Sequence, residues 1–181
     1  MTVYALTLWI HSYLRWLIVL VVLLLLVRSA IGWARSADWG EPDERLHAIF
    51  IALLDTQFTL GIVLYLFLSP ISAAFFAQPG IGMKEPVLRF FGMEHPLAMI
   101  LAVSIAHVGR ARSKKALTPQ LRQRRVCTST LVVLLLIAVS IPWPFLRHGR
   151  PLLRGVTRSA VLAPPASFAH NRPLLRLDAE S

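Results

Sequence analysis

The chain has 181 residues, 56% of them hydrophobic, and a formal net charge of +10. That apolar content, gathered into blocks instead of spread with a surface-helix or strand period, excludes an ordinary soluble domain. The positive charge lies beside the apolar blocks and not on an aromatic-interleaved soluble module, which argues against a nucleic-acid partner.

A helix crosses the hydrocarbon core of a bilayer with about 20 predominantly apolar residues. Residues 5–27, 46–68, 87–109 and 126–144 each meet that length. The expected fold class is therefore all-α: an integral membrane four-helix bundle over residues 1–145, followed by a basic Arg/Pro-rich tail over 146–181 that reads as disordered. The first block has no Lys or Arg ahead of it and outruns a signal-peptide core, so it is expected to stay as the first span. His11 and Arg15 sit one turn apart on it and share a face.

The second block opens with His47 and carries Asp55 and Gln57 near its middle. The connection 69–85 is apolar for an exposed loop, yet Pro70, Gly80 and Gly82 interrupt any long helix, so a partial lid over the bundle is expected there. The third block has Glu94 and His95 near its start and His107 near its end. Pro96 predicts a kink, because it lacks an N–H and crowds the preceding turn. Arg110 to Arg125 collects Lys and Arg without an acid, which places that connection on the cytoplasmic side against anionic lipid, with both chain termini outside.

Cys127, alone and without ligand-spaced companions, reads as a packed helix cysteine. In the tail, His148-Gly-Arg-Pro-Leu-Leu-Arg154 recurs as His170-Asn-Arg-Pro-Leu-Leu-Arg176. A local duplication is the plain reading, a docking motif the functional one.

Ionisable side chains inside lipid are costly and call for partners. Depth along the spans groups His11, Arg15, Asp55, Gln57, Glu94 and His95 in the outer half, and the expected ion pair is Arg15 with Asp55 or Glu94. His11 and His95 lie at matching depth on different spans, as a bis-His haem b requires. His47 and His107 form a second, weaker pair at the inner side. Arg15, Asp55, Gln57 and Glu94 would then tune charge or relay protons. Helices without a haem remain the rival: an accessory or scaffold subunit of a larger membrane complex or homo-oligomer, its polar cluster serving as structural glue. A proton-coupled carrier is a third class, with no inverted repeat to support it. No nucleophile–base set or metal-hydrolase motif points to hydrolysis or group transfer.

The stretches His11-Ser-Tyr-Leu-Arg15-Trp16, Gln57 with Leu60-Gly61 and Leu64-Tyr65 before Ser69-Pro70, Phe91-Gly-Met-Glu94-His95, Gly109 with Ser113-Lys114-Lys115, and Ile141-Pro-Trp-Pro-Phe145 carry a likeness. Over residues 1–154 the chain resembles small bacterial four-helix membrane proteins, familiar from Bacteroidetes-type genomes and often labelled cytochrome b-like. The resemblance implies a bacterial membrane protein and carries over His11 and His95 as the haem-binding histidines. It carries neither His47 nor His107, and residues 155–181 lie outside it. The expected function is a small b-type cytochrome or electron-transfer subunit in the bacterial inner membrane, exchanging electrons with a quinone or a partner complex.

Overall fold

A computed structural model describes residues 2–152 of the chain. The expected tail from residue 153 onward and the second copy of the duplicated motif lie outside these residues. Four helical spans are long and apolar enough to cross a membrane: Val3–Ala34, Glu41–Leu68, Pro86–Lys114 and Pro119–Ser140. The all-α membrane bundle read from the hydropathy blocks is the fold observed, with every span starting ahead of its apolar block and the fourth ending at Ser140, short of residue 144.

Local chemistry sets where the spans start. Thr2 Oγ1 accepts from the Ala5 N–H at 3.2 Å at the head of α1 (Val3–Ala34). Thr118 Oγ1 accepts from the Leu121 N–H at 3.2 Å ahead of α7 (Pro119–Ser140), where Pro119 takes the first-turn site that needs no N–H. The Gly40 N–H donates to Asp43 Oδ2 at 2.9 Å at the start of α2 (Glu41–Val63), the return half of a capping box.

Two spans contain a π turn next to a proline. Span two ends in one at Leu64–Leu68, before Ser69-Pro70. Span three begins with α5 (Pro86–Arg89), widens into a π turn at Phe90–Glu94, and continues as α6 (His95–Lys114). The predicted Pro96 kink takes this form: Pro96 cannot donate to the Gly92 carbonyl, and the extra residue in the turn relieves the clash of its ring. Tyr65 Oη donates to the freed Gly92 oxygen at 2.6 Å, so a neighbouring span replaces the lost bond.

Around the bundle the order is α1, α2, α6, α7, and α2 and α6 meet least closely. The core combines Ile18, Val22 and Leu25 of α1, Phe50 and Leu54 of α2, Ala102 and Ala106 of α6, and Val126 and Val133 of α7. Leu20, Leu24, Leu101, Val108, Leu135 and Val139 point outward, as lipid-facing side chains do. Between α6 and α7 the contact is built on small residues: Ala102, Ala106, Gly109 and Ser113 are buried in one row, and a Cβ on Gly109 would fall 2.5 Å from Ser129 Cβ.

Between spans two and three, α3 (Pro70–Ala77) and α4 (Pro79–Gly82) cover one end of the bundle. The Phe75 ring seats against Gly82 and Gly92, where a Cβ would lie 2.6 and 2.3 Å from it. The chain terminus near Thr2 and residues 141–152 share this N-terminal end. Connections 35–40 and 115–118 share the other, the basic end.

Candidate functional site

The N-terminal half of the bundle holds a half-open cavity of about 350 Å³ whose wall is mainly apolar, within the range of small-molecule sites. Its polar wall comes from His11 and Arg15 of α1, Gln57 of α2, Tyr65, His95 of α6, Ser72 of α3 and Arg150. Of the six residues grouped in the outer half by depth, four therefore line one space. Asp55 and Glu94 are not among the lining residues.

His95 is placed by the end of its neighbour. α7 stops at Ser140, whose carbonyl has no intrahelical donor, and His95 Nδ1 lies 3.0 Å from that oxygen. A carbonyl only accepts, so Nδ1 carries the proton and Nε2 keeps its lone pair. His11 is set by α2: Gln57 Nε2 donates to the His11 carbonyl at 2.9 Å, and Gly61 leaves the room the ring occupies, since a Cβ there would sit 3.3 Å from His11 Cε1. The two imidazoles end with ring centres 6.4 Å apart and planes inclined by 71°.

Two imidazoles on one iron, each with a metal–nitrogen bond of about 2 Å, hold their ring centres about 6 Å apart. The separation of His11 and His95 fits that spacing. The Nδ1–carbonyl bond of His95 is the kind of outer contact that orients a metal-ligating imidazole. Arg15 and Arg150 on the wall suit the carboxylates of a haem. The same bond also has a purely structural use, as the cap of α7. Among the described residues no group of three or more His, Cys, Asp or Glu comes together as a metal site.

The ion pairs differ from those expected for Arg15. Asp55 bonds His107 Nε2 at 2.8 Å, and Glu94 bonds Arg89 at 2.6 Å. Arg15 Nη2 donates to the Leu152 carbonyl at 3.2 Å, and Trp16 Nε1 to the same oxygen at 3.1 Å. These bonds draw residues 141–152 back over the bundle, where His148 stacks on Phe90 at 3.7 Å. Residues 146–152, expected as the start of a loose tail, are thus part of the site's cover.

His47 and His107 are separated by environment, so the expected inner pair is not what the fold builds. His47 is 2% exposed beside Trp39. His107 faces outward, with half its side chain exposed. Around His47 the basic end is tied by charge: Glu44 accepts from Arg110 at 2.6 Å, from Trp39 Nε1 at 3.2 Å and from Arg122. Asp43 accepts from Arg28.

Depth-based reading missed Gly61, Tyr65, Arg89 and Ser140. Arg89 and Glu94 are five apart, a spacing that pairs across a π turn and not on a regular helix. The Gly92–Pro96 spacing did hold a signal, because it names the carbonyl that loses its donor.

Comparison with protein-family models, curated proteins and solved structures finds no match. The likeness to cytochrome b-like membrane proteins therefore rests on the residues that carry it.

Proposed function

We propose that the chain is an accessory or scaffold subunit of a larger assembly in a bacterial cytoplasmic membrane, working through contacts between spans. The observation that carries this reading is the Asp55–His107 pair, 45% and 50% exposed on the surface that faces lipid. An ionisable pair open to acyl chains is unfavourable by several kcal/mol, and a neighbouring protein removes that cost. The basic connection from Arg110 to Arg125 supports an orientation with that end at the cytoplasmic leaflet and the N-terminal end outside. Native electrophoresis of gently solubilised membranes tests the reading: the wild-type chain migrates in an assembly that Asp55→Leu disperses. A wild-type chain migrating with lipid alone refutes it.

A second reading, a small b-type cytochrome, is favoured by the 6.4 Å separation of the His11 and His95 rings. In it these two imidazoles hold haem b, and Arg15 and Arg150 receive its carboxylates. Bound there, haem supplies one-electron transfer with a quinone or a partner complex. His95 keeps the Nδ1 proton on Ser140, so that Nε2 stays free of a proton. Protein produced with haem available and purified in detergent gives a b-type reduced-minus-oxidised band, lost in His11→Ala and in His95→Ala. A folded, colourless protein rules this reading out.

A further inference from the structure

The face between α2 and α6 has a composition that limits what can cover it. Asp55 lies about 20 Å of helix rise from either end of the Glu41–Leu68 span. It cannot reach an interface in the way a long basic side chain does. Ala48, Ala52, Thr56 and Thr59 of α2 and Ser104 and Ala111 of α6 are exposed on these two helices, beside the larger Ile49, Leu101 and Val108. The threonine hydroxyls donate to carbonyls of their own helix, Thr56 to Ala52 at 2.8 Å and Thr59 to Asp55 at 2.9 Å. They tolerate lipid without a partner. Asp55 and His107 use one oxygen and one ring nitrogen on each other, and both side chains are about half exposed.

We propose that this face binds a second copy of the chain about a two-fold axis, with the two Asp55–His107 pairs set against each other. A two-fold axis brings each His107 Nδ1 toward the Asp55 carboxyl of the other copy, where Nδ1–H donates to the free carboxyl oxygen, so that hydrogen bonds alternate His, Asp, His, Asp around the axis. The patch is self-complementary in hydrogen bonding, each copy offering one ring donor and one carboxyl acceptor. The row Ala48, Ala52, Thr56 and Thr59 lets the α2 backbone approach a facing helix closely. By comparison, the outward face of α7 carries Leu131, Val132, Leu135 and Val139, which lipid covers without cost. This proposal rests on the subunit reading above and names its first contact.

The test uses the full chain in lipid vesicles. Single-molecule photobleaching at rising protein density shows two-step traces for the wild type. Asp55→Asn and His107→Asn each weaken the pairing at least tenfold. The exchange Asp55→His with His107→Asp restores the alternation and the two-step traces, which separates loss of the contact from loss of the fold. In a Cys127→Ser background, Ala52→Cys forms a disulfide-linked dimer under mild oxidation, and Leu135→Cys does not. Single-step traces for the wild type at every density, or equal cross-linking at both positions, overturn the second copy. A photoreactive group at Ala52 in the host membrane then distinguishes the failures. A covalent adduct with a different chain removes the second copy alone, and an adduct with lipid alone removes the subunit reading as well.

Discussion

Tyr65 illustrates how much a single side chain carries in a medium without water. Its hydroxyl is the donor that the Gly92 carbonyl lost when residue 96 became proline. Tyr65→Phe leaves that oxygen without its partner in an apolar setting, at a cost of about 1–3 kcal/mol. Reversible unfolding in mixed micelles measures it, and Phe67→Leu, on an exposed site of the same turn, provides the reference that stays near zero. His148 acts at the surface of the same end. Burial against Phe90 lowers its imidazole below the ordinary value, outweighing the upward pull of the Glu94 carboxylate. The folded value is the depressed one, so the stack contributes fully above the unfolded value of about 6.5 and is lost as pH falls through the folded value. A proton-resonance titration of His148 is expected to show a midpoint below 6.5, and Phe90→Ala is expected to raise it.

At the scale of elements, the spans were legible and their rotations were not. Blocked hydropathy fixes four crossings because each block matches the thickness of hydrocarbon, and a proline inside a span announces an irregular turn. Depth alone groups Asp55 with Gln57, yet two residues turn a helix by about 200°. Gln57 accordingly faces the core at 9% exposure while Asp55 faces out. The pairing expected for Arg15 failed for that reason. His11 and His95 came together because matching depth coincided with matching rotation. The form of the Pro96 kink was out of reach as well, since its stabilising donor lies 27 residues away on another span. The small-residue row of α6 has a sharper consequence. Gly109→Val places a Cβ 2.5 Å from Ser129 Cβ, which forces α6 from α7 and lowers stability by about 1–3 kcal/mol. Gly80→Ala, where a Cβ meets nothing within 4 Å, leaves the unfolding midpoint within experimental scatter of the wild type.

For the whole molecule, the two ends are held by different forces. The N-terminal end is closed mainly by packing and by hydrogen bonds to main-chain carbonyls: Phe75 in the notch of Gly82 and Gly92, Tyr65 on Gly92, and Arg15 with Trp16 on the Leu152 carbonyl, with the single Arg89–Glu94 pair beside them among the described residues. The basic end is closed by charge, with Glu44 of α2 receiving Arg110 of α6 and Arg122 of α7. Both guanidinium groups are largely shielded, so removing their shared carboxylate leaves two like charges facing each other with donors unfilled. Glu44→Gln therefore destabilises the bundle by about 2 kcal/mol or more. Glu41 bonds Arg45 at 2.5 Å, yet both side chains are 74% exposed, and Glu41→Gln changes stability by less than about 0.5 kcal/mol. Salt separates the two further: raising it from low to molar concentration erases the small Glu41 effect and leaves most of the Glu44 effect, because shielded pairs are screened less. Equal losses in the two variants would mean that surface charge in general, and not this junction of three spans, closes the basic end.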